Sequence, residues 1–338
     1  MTETLTDHTN ADIEAGDTGF SMKSGVSRFF GSWRTAGILI PFLILFVVLS
    51  IASSPFLHTT NLINILDQQA AVLCIAAAGT LVLVAGGIDL SVGSTYALAG
   101  VIAGEVGQHH SVVWAILAGL VVGLLVGLIN GVIVTVFRIS PLITTLAMSY
   151  IIYGLALKVT NGNLVLTGSI PGFQSFTNST FLSVPSAVWM ALAVVAVLAV
   201  VLSRTTFGRY VVAAGGNAEA ARLAGVRVNG IKIITFVVSG GAAALGGIID
   251  AGRLGSILST SGGPSLSFLV LAGIVVGGTS IAGGEGSGWR TAIGVLFIAL
   301  IGNGFNLLGV DPNWQQIVLG LILLVAVGLD MWARRAKS

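Results

Sequence analysis

Residues 203–232, SRTTFGRYVVAAGGNAEAARLAGVRVNGIK, form the longest basic interruption in an otherwise apolar chain. Arg204, Arg209, Arg222, Arg227 and Lys232 lie here against a single acid, Glu219, and an apolar run flanks the stretch on each side. Basic loops between membrane spans stay on the cytoplasmic side, so this one is expected inside. Within it the spacing predicts a short helix. Asn217 can serve as N-cap, Glu219 sits in the first turn where the helix dipole favours an anion, Arg222 falls near the far end, and Gly225 can supply a left-handed stop. Ala220, Leu223 and Ala224 then share one face at i, i+3 and i+4. Such a helix is far shorter than the roughly 12–15 residues needed for stability in water. Its apolar face must therefore dock, either on the chain's own membrane helices or on a cytoplasmic partner.

The sequence outside this stretch is membrane-like. Of 338 residues, 8% are charged and 55% are hydrophobic, against about 25% charged in soluble domains, and the mean hydropathy is +0.99. Forty-six glycines suit closely packed membrane helices. A net charge of +2, with basic residues at segment ends rather than on one face, argues against nucleic acid as a partner. Cys74 is the lone cysteine, so there is no disulfide framework. The expected fold class is an all-α polytopic membrane protein.

Residues 1–35 are polar and are expected to form a disordered cytoplasmic tail. The run 36–53 has an apolar core too long for a signal peptide and reads as the first span. Apolar segments near 67–87, 91–106, 112–136, 142–157, 187–203, 232–252, 266–282, 291–308 and 314–332 bring the expected number of transmembrane helices to about ten. The transmembrane domain is thus 36–333, followed by a basic cytoplasmic tail, 334–338. With the N-terminus inside, the inner segments collect Lys23, Arg28, Arg34, Arg138, the five basic residues of 203–232, Arg290, Arg334, Arg335 and Lys337. The outer ones hold only Lys158 and Arg253. This asymmetry puts both termini in the cytoplasm and makes 158–186 the longest outer, periplasmic loop. Residues 86–93 (GGIDLSVG) echo residues 277–284 (GGTSIAGG) at an offset of 191, whereas Asn130-Gly131 echoes Asn303-Gly304 at 173. The changing offset points to two distantly related halves rather than a tandem repeat.

Candidate functional residues are few. Gly119, Gly123, Gly127 and Gly131 recur at i+4 and form a small-residue seam where another backbone approaches, within the subunit or across a moving or dimeric contact. Asp89 is the one acid in GGIDLSVGS. It either caps the helix after a break at Gly86-Gly87, or lies with Ser91 and Ser94 beside a translocation path. Asn130, Asn303 and Asn306 complete the candidate path, among the neutral residues Thr144, Thr145, Ser149 and Ser239. Amides and hydroxyls suit an uncharged, hydroxyl-rich solute, and hydrogen bonding between helices is the alternative role. Asp250 and Arg253 are spaced for an ion pair. His109 and His110, adjacent in a turn, do not make a metal site. No Gly-Lys-Ser/Thr string occurs, so no P-loop is expected.

Glu219-Ala220-Ala221 followed by Gly225 resembles the E-A-A-x-x-x-G loop of the membrane subunits of bacterial ATP-binding-cassette (ABC) importers, whose short helix rides in a groove of the ATP-hydrolysing subunit. The Ile-x-Leu-Pro that continues that signature is missing, since VRVNGIKIITF has no Pro, and this departure fits the ribose-permease-like sugar-importer branch. Residues 83–94 (LVAGGIDLSVGS), 277–284 (GGTSIAGG) and 302–310 (GNGFNLLGV) resemble the same branch, so the similarity covers about 60–330. The resemblance implies a permease subunit of the bacterial inner membrane. Its partners would be ABC ATPase subunits, a periplasmic solute-binding protein and a second permease copy. ATP and Mg would sit on the ATPase, leaving this chain with no cofactor, no metal and no catalytic residue. Asn217, Glu219, Ala220, Ala221, Leu223, Ala224 and Gly225 would then form the coupling helix, and the solute would be a monosaccharide. Two alternatives stand beside it. An ion-coupled secondary transporter is opposed by the docking helix and the scarcity of intramembrane charge. A permease of the related branched-chain amino-acid importers is opposed by GGIDLSVGS.

The charge asymmetry yields a direct test. A reporter fused after Lys337 should score as cytoplasmic and one placed within 158–186 as periplasmic; a periplasmic C-terminal signal would overturn the ten-span arrangement.

Overall fold

In lipid every backbone N–H and C=O must be paired within the protein, which leaves an apolar chain of this kind one solution, the helix. The computed structural model describes residues 22–311 and 313–335, with side chains for 37–311, 313–328 and 331. In chain order the helices are Met22–Ala52 (α1), Thr59–Gln68 (α2), Ala70–Val84 (α3), Val92–Gly107 (α4), Val112–Val136 (α5) and Pro141–Thr160 (α6). A short strand, Val165–Leu166 (β1), precedes Phe173–Asn178 (α7) and a hairpin of Thr180–Phe181 (β2) and Val184–Pro185 (β3). Then come Ser186–Arg204 (α8), Thr206–Gly216 (α9), Ala218–Leu223 (α10) and Val228–Leu254 (α11). After Ser256–Ile257 (β4) the chain ends with Gly263–Val276 (α12), Gly288–Leu307 (α13) and Asn313–Arg335 (α14). The strands make only two small antiparallel pairs, β1 with β4 and β2 with β3. The protein is an all-α membrane protein.

Each of the ten expected segments coincides with a helix. Among the described residues, α5, α6, α8, α11 and α13 are long and apolar enough to cross a bilayer, and α2 with α3 passes as one span bent by 48°. Gly37–Ala52, Gly263–Val276 and Asn313–Gly328 are shorter apolar helices.

Four boundaries differ from the sequence reading, one being that the segment near 266–282 is helical only as far as Val276. Residues 22–35, assigned to a disordered tail, are helical and continue into the first apolar run, because extending an existing helix costs little once it is nucleated; residues 1–21 and 336–338 lie outside the described residues. The second segment starts earlier, as α2, whose polar Asn61, Asp67 and Gln68 disguise it. The basic stretch is almost entirely helical, since Thr205 accepts a hydrogen bond from Gly208 N–H (3.2 Å) and starts α9 ahead of α10.

The centre of the molecule is α11, with α5 laid along it. A Cβ on Gly123 would stand 2.3 Å from the carbonyl oxygen of Gly240, and one on Gly127 2.2 Å from that of Phe236. A Cβ on Gly131 would meet Ile233 Cα at 2.8 Å, and one on Gly119 the Ala99 oxygen of α4 at 2.8 Å. The seam is therefore closed within the chain, against α11 and α4.

Two helix breaks share one geometry. At Gly86 (φ +77°) its N–H bonds Leu83 O and the Gly87 N–H bonds Val82 O. At Gly278 (φ +80°) its N–H bonds Val275 O and the Thr279 N–H bonds Ile274 O. Both are the Schellman ending, which needs a left-handed residue after the last turn. Gly86 thus corresponds to Gly278, one residue out of register with the echo read from sequence.

Gly123→Leu or Gly127→Leu should abolish the monodisperse protein peak in detergent, because the new side chain must displace backbone, at a cost of more than about 1–3 kcal/mol. Gly154→Leu, with nothing near its Cβ position, should behave as the parent. Normal peaks for both seam variants would show that α5 and α11 are not in register as described.

Candidate functional site

The short helix of the basic stretch forms as its spacing predicts. Asn217 Oδ1 accepts from the N–H groups of Glu219 (3.1 Å) and Ala220 (3.0 Å). The helix ends at Gly225 (φ +83°), whose N–H bonds Arg222 O while Val226 N–H bonds Ala221 O. Glu219 and Arg222 pair at 3.4 Å, both exposed, so the pair adds little. Ala221 is buried, in one apolar cluster with Val84, Leu202, Val211, Ala214 and Val228. The predicted docking face is on the other side. Ala220, Ala224 and Gly225 are exposed, and Leu223 is 83% exposed. The chain's own helices hold α10 by Ala221 and leave Ala220, Leu223 and Ala224 bare.

A polar cluster surrounds the break between α3 and α4. Asp89 is held by three donors: Ser91 N–H (3.0 Å) and Ser91 O–H (2.6 Å) on one oxygen, Ser239 O–H (2.8 Å) on the other. Ser91 Oγ in turn accepts from the Asn130 amide (2.8 Å), and Ser94 O–H reaches Ser149 Oγ at 3.4 Å. Asp89 does not cap α4 as expected. Ser91 occupies the N-cap position, and the carboxylate instead closes an Asx-turn one step earlier. Freed backbone groups of the break are served by hydroxyls from other helices. Thr145 Oγ1 accepts Leu90 N–H (3.1 Å); Ser267 Oγ accepts Gly93 N–H (3.0 Å) and donates to Leu90 O (2.8 Å). The space beside Asp89 is about 20 Å³, lined in part by Gly87, Ile88, Val92 and Ser267. That holds one water at most, far below the roughly 300–1,000 Å³ of small-molecule sites.

Of the candidate path residues, Asp89, Ser91, Ser94 and Asn130 meet in this cluster, and Asn303 and Asn306 do not join it. Asn303 exchanges two amide hydrogen bonds with Asn61 of α2 (2.8 and 3.2 Å). Asn306 is exposed and accepts from Gln315 (3.3 Å). A cleft of about 300 Å³ between α12, α13 and α14 is lined in part by Ser265, Gly302, Gln315 and Gln316, and Asn306 is joined to it only through its bond with Gln315. Arg253 pairs with Asp250 (3.0 Å) and Asp67 (3.8 Å), and Tyr96 O–H donates to Asp250 (2.7 Å), tying α2, α4 and α11 together. Sequence reasoning missed Ser267, Asn61, Asp67 and Gln315; for Asn61 and Asp67 the signal was a polar run just before a membrane segment. Among the described residues no group of His, Cys, Asp and Glu could hold a metal.

Asp89→Asn keeps an acceptor for Ser91, and Ser239 can turn to accept from the new amide, so thermal stability in detergent should stay near the parent. Asp89→Ala strands three donors, at about 1–3 kcal/mol each when buried, and should lower the melting temperature clearly. Equal stability of the two variants would remove Asp89 from any structural role.

Comparison with known proteins identifies relatives over most of the chain. The family model described as "Branched-chain amino acid transport system / permease component" matches residues 61–327. The ribose import permease of Bacillus subtilis is 41% identical over 306 residues, 90% of this chain and 94% of that protein. The L-arabinose transport system permease of Escherichia coli K12 is 36% identical over 316 residues (90% and 93%), and a probable ABC transporter permease of the same strain is 38% identical over 308 residues (91% of each). No solved structure matches. The chain belongs to this permease family and resembles its ribose-permease-like branch of bacterial ABC sugar importers.

Proposed function

We propose that this chain is the permease subunit of an ATP-driven importer that carries a small neutral solute, a monosaccharide, across the bacterial inner membrane. The observation that carries the reading is α10: a pre-formed helix, capped at both ends, held by Ala221 and presenting Ala220, Leu223 and Ala224 with nothing of its own chain upon them. In this reading that face seats on an ABC ATPase, which binds the ATP and Mg, while a periplasmic binding protein delivers solute to the opposite side. The spans number ten, both termini and residues 203–232 are cytoplasmic, and a second copy of the chain completes the permease. The names of the relatives, ribose and arabinose permeases, support a sugar as the solute. The cleft bearing Gln315 and Gln316, not the tight Asp89 cluster, offers room and amides for hydroxyl groups.

The work of such a subunit is mechanical. When the ATPases close, they move α10, and the spans exchange inner for outer access. Leu223→Asp places a charge in an apolar contact, and Glu219→Lys opposes the helix dipole and the pairing with Arg222. Both variants should insert normally. Leu223→Asp should weaken co-purification of the ATPase by on the order of tenfold, since even one apolar anchor turned into a buried charge costs more than 1.4 kcal/mol. Uptake into vesicles should fall with it. Parental attachment and uptake in both variants would refute the reading, and uptake by the wild-type chain without any ATPase would favour an ion-coupled transporter.

A further inference from the structure

Three turns that are distant in sequence meet beside α10. They are the last turn of α9, with Gly215; the end of α3, from Val84 to Gly86; and the turn between α12 and α13, with Gly283 and Gly284. Gly284 N–H donates to Val84 O at 2.8 Å. Gly215 lies against the same carbonyl so closely that a Cβ on it would stand 1.7 Å from Val84 O and 2.8 Å from Gly284 N. A Cβ on Gly283 would be 3.0 Å from both Gly215 O and Gly86 Cα. At these points the three segments touch through main chain. Side chains at an interface can change rotamer and absorb a small displacement, whereas backbone in contact with backbone has no such slack.

The ends of this junction lead to the two candidate sites. Gly215 stands two residues before Asn217, the cap of α10. Val84 stands just before the break, whose Asp89 is bonded to Ser91 and Ser239. Ala221 of α10 belongs to the same apolar cluster as Leu81, Val84 and Ala85 of the α3 end and Val211 and Ala214 of α9, so side chains also link α10 to the break by way of α9. A displacement of α10 must move the α3 end, and with it the Asp89 turn. The small cavity beside Asp89 leaves that turn little room to stay behind.

We propose that this backbone junction is the joint that transmits motion of α10 to the broken helix α3–α4, with Gly215 as its positioning residue and Val84 O as the contact that carries the load. The proposal rests on α10 being the ATPase-docking helix.

The test uses the full permease–ATPase complex in vesicles. Gly215→Ala places a Cβ 1.7 Å from Val84 O and 2.8 Å from Gly284 N, so it forces the joined segments apart. It should keep ATPase attachment and basal ATP hydrolysis but lower solute moved per ATP by roughly tenfold, within the range carried by networks of packed groups. Gly216→Ala, whose Cβ would meet only Gly284 Cα at 3.9 Å, should match the parent. Should Gly215→Ala fail to insert, hydrogen exchange on the wild-type complex decides: a non-hydrolysable ATP analogue should alter peptides covering 83–91 and 280–286 together. A parental transport-to-hydrolysis ratio in Gly215→Ala, loss of ATPase attachment in that variant, or exchange changes confined to 206–225 would each overturn the joint. Failure of the wild-type chain to need an ATPase would instead remove the docking reading beneath it.

Discussion

The contact of α5 with α11 is made by backbone, and the rest of the protein is arranged about it. Lipid tails are as apolar as leucine, so helices in a bilayer gain nothing from simple hydrophobic burial against each other; they gain from close approach and van der Waals contact. Gly123, Gly127 and Gly240 permit that approach, and α4 makes a second contact of the same kind, with Gly247 set against Tyr96 O. Polar groups come into register as a result. Asn130 is next to Gly131 of the seam and Ser239 is next to Gly240, so closing the seam brings both toward the turn that holds Asp89. Packing and the polar cluster are one arrangement.

A helix can be broken inside a membrane protein only if its freed backbone groups find partners. Around Asp89 they find Thr145 of α6 and Ser267 of α12. This gives the hydroxyls of those helices a structural task and explains why four of the six suspected path residues lie in a tight cluster with almost no free volume. Of the two amides left over, Asn303 pairs with Asn61 of α2, and Asn306 bonds Gln315 at the larger cleft.

Much of this was legible in the sequence because the signals were local. A glycine every fourth residue, Asn217 ahead of Glu219, and Gly225 after the last turn each determine their own neighbourhood, and each took the expected form. What escaped depended on partners far along the chain. Nothing at Ser267 announces that it serves Leu90 and Gly93, and nothing at Asp89 decides between a cap and a turn one residue earlier. The direction in which α10 leans was equally hidden. Ala221 and Leu223 are both apolar, and only the position of α3 and α11 makes one inward and the other outward. The polar residues of α2 hid a bent membrane segment for the opposite reason, since composition spoke louder than connection.

The α5–α11 seam also sets an order of events in synthesis. About 90 residues separate Val136, where α5 ends, from Val228, where α11 begins. At 5–20 residues per second, α5 waits roughly 5–20 s for its partner. During that interval Gly119 can already meet α4, but the groove of Gly123, Gly127 and Gly131 faces lipid or the insertion machinery instead of α11. The first half of the chain can therefore enter the membrane but cannot reach its final packing until the second half arrives, and a truncated chain ending before α11 would present that groove to degradation.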